Sequence, residues 1–487
     1  MTNNIVLVYP DYRQSKVFQH TGLPVGLGYI AESLKQEGIK YEFVDLNLDS
    51  IEDLHLKINE FRPQFLGISM MSYRCERTYK LLSEIKKKWH ELIIVAGGPH
   101  LTTNKEKVLL ECLAIDIGVV GEGEITLIEV MRDCEISSIR GVIYRTQGNV
   151  YFVGDREFIS NLDNIPFPKY EGFKLEKYGS MMTLNSSRGC PYRCIFCAAP
   201  RILGRKWRNR SANGMITEFM YWYRQGYRDF AFSDSNFGVQ KQRVLDFCDE
   251  ILSTKFNVRF HADGLRADHF DRFMLEKMKI AGFIGLTFGV ESGSDAVLKN
   301  LKKGETISQI ESTISNAIAL DFRVTLFFLI GSPGEREADI RKSFELAIKY
   351  NIIKVYFFNL TPIMGTEFYD WALSKKFINL SGVRYPEDNF GFSEEAIMST
   401  DAMSQVNLTK WIRIARRLEL LIDWRYRFLA MVTKICKVIP GAPDIIQGYP
   451  HRWIWFVTYP IIFPVSRLAW HGLSKCRHII SKSRELS

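Results

Sequence analysis

Cysteine is scarce in this chain and mostly solitary. Nine occur in 487 residues, and Cys75, Cys112, Cys134, Cys248, Cys436 and Cys476 each stand apart from the others. Thiols so placed do not build a disulfide framework, and each is expected as a small buried hydrophobe. No second Cys-x-x-Cys or His pair follows to complete a two-pair zinc site. A Gly-x-Gly-x-x-Gly turn is missing before the first helical segment, which argues against a dinucleotide. A basic leader is missing too, since the N-terminus runs straight into Ile5-Val-Leu-Val-Tyr9, a strand pattern. The expected setting is therefore a reducing cytoplasm. The apolar run from Trp453 to Val465 is broken by Pro460 and Pro464. It falls short of the roughly 20 residues that span a bilayer.

Excess charge of one sign is absent from most of the chain. The first 400 residues hold fifty basic and fifty acidic side chains, whereas the remainder holds fourteen against five. The net charge of +9 thus belongs to the tail, and no nucleic-acid partner is expected for the neutral body. An apolar fraction of 46% and a charged fraction of 24% are ordinary for a soluble protein with two or three domains.

What is present begins with alternation. Ile5 to Tyr9, Tyr41 to Asp45, Leu66 to Met70, Leu92 to Ala96 and Ile115 to Val120 are short apolar runs, separated by helical patterns such as Gly28 to Gly38 and Cys75 to Trp89. This predicts an open parallel sheet with both faces covered, and a ligand crevice at the strands' carboxyl ends. The segments just past those ends are rich in glycine: Thr21-Gly-Leu-Pro-Val-Gly-Leu-Gly28, Ser69-Met-Met-Ser72, Gly97-Gly-Pro-His100 and Gly121-Glu-Gly-Glu124. Glycine there lets the backbone approach a ligand closely.

A linker through Asn164-Ile-Pro-Phe-Pro168 leads to the strand pattern Met181 to Asn185 and then to Cys190-Pro-Tyr-Arg-Cys194-Ile-Phe-Cys197. Three thiols within eight residues are too few for a four-thiolate site. They suit an iron–sulfur cubane held at three corners, with one iron left open. Further strand patterns follow at Phe230 to Ser233, Val258 to Ala262, Gly285 to Val290, Val324 to Ile330 and Lys354 to Asn359. Helical patterns alternate with them at Ser211 to Arg224, Gln240 to Ser253, Ile307 to Leu320 and Glu337 to Tyr350. Their ends carry Asp234-Ser-Asn-Phe237, His261-Ala-Asp263, Gly289-Val-Glu-Ser292, Gly331-Ser-Pro-Gly-Glu335 and Thr361-Pro-Ile-Met-Gly-Thr366. Functional groups of a parallel barrel collect at such ends.

The Cys-x-x-x-Cys-x-x-Cys segment, with Phe196 before the last cysteine, resembles the signature of the radical S-adenosylmethionine superfamily. Pro24-Val-Gly-Leu-Gly-Tyr-Ile-Ala31, Gly97-Gly-Pro-His100 and Gly121-Glu-Gly-Glu124 resemble the cobalamin-binding domain in front of many such enzymes. Methyltransferases and anaerobic magnesium-protoporphyrin monomethyl ester cyclases share this arrangement. The resemblance implies an α/β chain in four parts. Residues 1–150 would form a Rossmann-like cobalamin-binding sheet, 151–175 a linker, 176–400 a partial (β/α)6 radical barrel, and 401–487 a helical, Trp-rich extension. Cys190, Cys194 and Cys197 would hold a [4Fe-4S] cluster, whose open iron chelates S-adenosylmethionine and cleaves it to a 5′-deoxyadenosyl radical. Asp234 and Asn236 would meet the methionyl part, and Glu291 and Ser292 the ribose or carboxylate. Gly331, Pro333, Glu335 and Pro362 would flank the adenosyl group. Gly22, Gly26, Ser69, Gly97, Gly98, Gly121 and Glu122 would line a cobalamin site. The Asp-x-His-x-x-Gly segment that supplies a cobalt-ligating histidine elsewhere is absent, so His20 and His100 are expected as polar loop residues.

The tail mixes Trp411, Trp424, Trp453, Trp455 and Trp470 with arginine and lysine. Two readings stand: a helical cap over the barrel mouth, or a peripheral contact with the inner face of the membrane. Both imply a hydrophobic, lipid- or pigment-like substrate. The leading expectation is cobalamin-dependent methylation of an unactivated carbon, fed by an external electron donor of flavodoxin or ferredoxin type. A radical oxidoreductase or cyclase without methyl transfer is the alternative, and a non-catalytic electron-transfer protein is a third class. A methylthiotransferase acting on transfer RNA is disfavoured, because Cys75, Cys112 and Cys134 match no further cluster set.

Overall fold

The computed structural model describes residues 3–12, 22–132, 134–254, 256–378, 385–386 and 393–438. The first sheet is built from β1 (Asn4–Tyr9), β2 (Lys40–Asp45), β3 (Phe65–Ser69), β4 (Ile93–Gly97), β5 (Ile117–Val119), β6 (Val142–Thr146) and β7 (Asn149–Phe152). Its order is β2-β1-β3-β4-β5-β6-β7. Among the described residues six α-helices accompany it: α1 (Val25–Gln36), α2 (Ile51–Phe61), α3 (Cys75–Lys88), α4 (Pro99–Asn104), α5 (Glu106–Glu111) and α6 (Gly123–Met131). Strands β1 to β5 run parallel, and Ile5, Val6, Leu7 and Val8 are at most 1% exposed, as apolar runs covered on both faces should be. The chain leaves β1 to β2 on one side and reaches β3 on the other, so a crevice opens at the carboxyl ends beside β1.

One edge departs from the all-parallel expectation, because β6 and β7 form an antiparallel hairpin. Gln147 (φ 47°) and Gly148 (φ 82°) supply the two left-handed residues that a two-residue turn requires. His100 also departs from expectation. It is not in a solvated loop but fully buried at the start of α4. Its Nε2 meets the Tyr79 hydroxyl at 2.7 Å and its Nδ1 the Ser72 hydroxyl at 3.0 Å. Burial pulls its pKa down to about 3, so it stays neutral. His20 lies outside the described residues. Cys75, Cys112 and Cys248 are buried as expected, whereas Cys134 is exposed in the polar stretch after α6.

The second sheet contains β8 (Met181–Leu184), β11 (Asp229–Phe232), β12 (Arg259–Leu265), β13 (Phe283–Glu291), β14 (Arg323–Ile330) and β15 (Lys354–Asn359). All pairs are parallel, in the order β15-β14-β13-β12-β11-β8. A two-stranded antiparallel ladder, β9 (Ser187–Arg188) with β10 (Arg208–Asn209), stands apart. The helices are α7 (Ala199–Ile202), α8 (Ala212–Arg224), α9 (Lys241–Thr254), α10 (Arg272–Ile280), α11 (Asp295–Asn300), α12 (Ile307–Ala319), α13 (Glu337–Lys349), α14 (Glu367–Ser374) and α15 (Gln405–Val438). Phe230, Phe232, Phe260, Phe328 and Phe357 point toward this helical layer and are fully buried, against partners such as Phe219, Phe247 and Phe344. This is a partial barrel of six strands, open between β8 and β15.

Helix α15 closes one of those open edges. Glu419 Oε1 accepts from the backbone N–H of Phe357 in β15 at 2.6 Å. Buried Arg425 donates to the carbonyls of Ile348 and Tyr350 at the end of α13 (3.1 and 2.7 Å). Trp411 is buried against Phe344, while Trp424 is 49% exposed. An edge strand covered this way cannot pair with another chain. Trp453, Trp455 and Trp470 lie outside the described residues. Among the described residues no helix is long and apolar enough to cross a membrane.

Candidate active site

A cavity of about 310 Å³ lies at the carboxyl ends of β3, β4 and β5. Gly26, Ser69, Gly97, Gly98, Gly121 and Glu122 line it, and Gly22 does not. The glycines keep it open: a Cβ at Gly26 would meet nothing within 4 Å, and one at Gly97 nothing nearer than 3.7 Å. Gly98 has a different reason to be glycine. Its φ is 90°, and a Cβ there would come within 2.8 Å of the Met70 nitrogen. The remaining wall comes from the second unit, through Asn185, Arg188, Ile202 and Leu203. The first sheet's crevice therefore faces the segment that carries the three cysteines.

That segment is a loop closed at its base by β9 and β10. Gly189 (φ 87°) turns the chain out of β9, where a Cβ would sit 2.4 Å from the Lys206 carbonyl oxygen. The Cys190 N–H donates to Gly204 O at 3.1 Å, and the Ile195 N–H to Leu301 O at 3.1 Å. Cys190, Cys194 and Cys197 are half-buried and unpaired. Among the described residues, no three His, Cys, Asp or Glu side chains converge on a single ion. This donor set fits a cluster, in which each thiolate takes its own iron and the sulfurs need not meet at one point. Burial pushes the Cys194 thiol up to about 11 and raises that of Cys197, while Lys303 pulls both the other way. Deprotonation is then coupled to iron binding.

Around the loop stand the barrel's strand ends. The Asp234 carboxylate is occupied internally, accepting from the Ser186 N–H (2.6 Å), the Ser186 hydroxyl (2.5 Å) and the Ser187 hydroxyl (2.7 Å). It braces the approach to β9. Asn236 is buried, and its Oδ1 has no hydrogen-bond partner. A buried acceptor of this kind awaits a donor. Glu291 ends β13 with φ 67° and accepts from Lys303 Nζ at 3.0 Å. Ser292 is fully buried, and its hydroxyl accepts from the Ser294 N–H at 3.3 Å. Glu335 is buried and fixes the Gly331 turn, its Oε2 accepting from the Gly331 and Ser332 N–H groups (2.8 and 3.2 Å). Burial raises its pKa to about 8. Pro333 passes its carbonyl to Asn300, and Pro362 is buried after β15.

Several charged residues here had no signal in the sequence. Lys303 lies between Glu291 and Glu305 (3.3 Å), and Arg266 sits 3.6 Å over the ring of Tyr192, within the cysteine loop. Burial opposes the charge of Lys303, but the two carboxylates outweigh it and raise its pKa. Isolated lysines and arginines follow no motif, and only folding places them beside the cysteines.

The B12 binding domain family matches residues 16–131, and the Radical SAM superfamily matches residues 184–347. The chain is a radical S-adenosylmethionine enzyme with a cobalamin-binding domain. Its cofactors are a [4Fe-4S] cluster, S-adenosylmethionine and cobalamin. An uncharacterized methyltransferase of Pyrococcus horikoshii is 29% identical over 389 residues, 77% of this chain and 84% of that protein. An anaerobic magnesium-protoporphyrin IX monomethyl ester cyclase of Cereibacter sphaeroides is 22% identical, over 70% of this chain and 59% of its own length. The cobalamin-dependent S-adenosylmethionine radical enzyme OxsB, solved with aqua-cobalamin and S-adenosylmethionine bound, shares the fold. It superposes with a TM-score of 0.75 at 18% identity, over 98% of this chain and 75% of that one. In this chain the cavity of the cobalamin-binding unit is closed by Asn185, Arg188, Ile202 and Leu203, which flank the cysteines, whereas Cys190, Cys194, Cys197, Asn236, Glu291 and Glu335 do not line it.

Proposed function

We propose that the enzyme methylates an unactivated carbon of a hydrophobic small molecule. The observation that carries this is the shared cavity, whose glycine-lined floor belongs to the cobalamin-binding sheet and whose wall belongs to the cluster-bearing unit. Residues flanking the cysteines thus close the cobalamin cavity, which sets the two cofactor regions side by side, as methyl transfer demands. When bound, the groups supply one-electron cleavage of S-adenosylmethionine and a carrier for its methyl group.

The chain's own residues provide the frame. Cys190, Cys194 and Cys197 hold the cluster. The unpartnered Oδ1 of Asn236 suits the ammonium of a methionyl group, with Asp234 keeping the adjoining strand in place. Glu291, Ser292 and the Glu335-braced turn at Gly331 and Pro333 form the rim on which the rest of S-adenosylmethionine is seated, with Pro362 behind it. Gly26, Ser69, Gly97, Gly98 and Gly121 leave room for part of a cobalamin.

A hydrophobic substrate is supported by the inward face of β14 and β15. Phe327, Tyr356 and Phe358 are half-buried there and pack ring to ring, opposite the helix-covered Phe328 and Phe357. The reductant is read as a flavodoxin- or ferredoxin-type donor and the setting as cytoplasmic. A membrane contact would fall to residues beyond 438. The second reading, an oxidative cyclase without methyl transfer, is favoured by the likeness to the cyclase of Cereibacter sphaeroides. Incubation with S-adenosylmethionine labelled in its methyl group separates the two. Label in the product supports methyl transfer, and an unlabelled product would sink it.

A further inference from the structure

The two faces of the cavity are joined by buried ion pairs. Glu122 and Glu124 stand at the N-cap and in the first turn of α6, after β5 in the first unit, whereas Arg188 and Arg208 occupy β9 and β10 at the two ends of the cysteine loop. Arg188 donates through Nη1 to Glu122 (3.0 Å) and through Nη2 to Glu124 (2.6 Å). Arg208 Nη1 reaches both oxygens of Glu122 (2.8 and 2.9 Å), and its Nη2 donates to Leu203 O at 2.7 Å. Glu122 Oε2 also accepts from the Ile159 N–H at 2.7 Å. All four charged side chains are 3–8% exposed. Each guanidinium lies against an aromatic ring, Arg188 over Tyr29 at 4.7 Å and Arg208 over Phe158 at 4.9 Å.

Two features give this group a role beyond cohesion. Glu122 bridges both arginines, so a residue of the first unit clamps together the two strands that close the loop. Its oxygens are also fully used by protein donors, which leaves none for a cobalamin. Buried ion pairs are weak devices for stability, since apolar residues of similar volume serve as well. They do fix geometry, because each guanidinium is held at two points, Arg188 by two different carboxylates and Arg208 by Glu122 on Nη1 and the Leu203 carbonyl on Nη2.

We propose that Glu122 and Glu124 are positioning residues for the cluster loop, not cobalamin ligands. Through Arg188 and Arg208, the cobalamin-binding unit sets where the three cysteines stand relative to its own cavity. This rests on the reading of those cysteines as cluster ligands.

The test uses full-length protein reconstituted anaerobically. Arg208 does not line the cavity, so Arg208→Met should bind cobalamin within about threefold of wild type by visible titration. It should also retain its iron. The electron paramagnetic resonance spectrum of its reduced cluster, and the shift caused by adding S-adenosylmethionine, should differ from wild type and be largely restored in Arg208→Lys. Glu122→Gln should behave as Arg208→Met does. Should Arg208→Met fail to fold, Arg208→Gln keeps a hydrogen-bond donor at the same place without the charge and carries the same expectation. Unchanged spectra with only a lower melting temperature would overturn the proposal. So would a more than tenfold loss of cobalamin affinity in Glu122→Gln with unchanged spectra, the mark of a cofactor ligand. Wild-type protein that assembles no cluster would overturn the cysteine reading itself, and this proposal with it, before any variant is compared.

Discussion

At the scale of single residues, two buried acids at the barrel's strand ends behave differently. Glu291 is paired with Lys303, whereas Glu335 has two backbone N–H donors on one oxygen and no partner on the other. Burial raises the Glu335 pKa from 4.5 to about 8. A carboxyl group raised in the folded state favours folding while protonated, and that contribution fades as pH climbs from 4.5 toward 8. The stability of wild type relative to Glu335→Gln, which keeps an acceptor for both amides, should therefore fall across this window. The slope is about 1.4 kcal/mol per pH unit at most, measured by urea unfolding at pH 5, 6.5 and 8. A difference that does not change with pH would contradict the raised value. Cys194→Ala should abolish the brown cluster and most bound iron, read by visible absorbance and iron assay. Both residues were legible in the chain, the cysteine by spacing and Glu335 by its place after a strand. Lys303 and Arg266 were not, since nothing near them in sequence marks them as neighbours of the loop.

At the scale of elements, the cysteine loop depends on a turn that only glycine can make. Gly189→Ala would force a methyl group to 2.4 Å from the Lys206 carbonyl at a φ of 87°. Strain of that kind costs about 1–3 kcal/mol. It should show as a loop that loads iron poorly while far-ultraviolet circular dichroism stays native. Helix α15 makes a different prediction. Glu419→Ala removes the acceptor from the Phe357 N–H at a partly buried edge, which should cost about 1–3 kcal/mol in urea unfolding. The helix itself was readable from its basic and apolar periodicity. That it lies along the β15 edge was not, because an amphipathic helix has one apolar face and several surfaces that would accept it. The β6–β7 hairpin also escaped notice. Its short alternating strands carry less apolar character than the buried parallel runs, and its turn is Gln-Gly, not the stronger Asn-Gly signal.

For the whole molecule, the consequential feature is that the cavity at the carboxyl ends of the first sheet is closed by residues of the second unit, Asn185 after β8 and Arg188, Ile202 and Leu203 around the cysteine loop. A bulky residue at an open glycine tests this directly. Gly26→Trp places an indole where a Cβ meets nothing within 4 Å. It should lower cobalamin affinity at least tenfold by visible titration while leaving iron content intact. Equal binding would mean that cobalamin sits elsewhere. The sequence by itself determined the strand–helix alternation, because an apolar run covered on both faces needs no distant partner to be recognised. It also determined the cluster chemistry, because three thiols within eight residues carry their geometry with them. Tertiary structure alone decided how the two units meet. The buried pairing of Glu122 and Glu124 with Arg188 and Arg208 joins residues more than sixty positions apart, and such a contact exists only once both sheets have formed. Glu122 read along the chain is a loop carboxylate beside a ligand crevice. In the folded protein both its oxygens are taken by protein donors, since a buried charge must find its counter-charge wherever folding brings one.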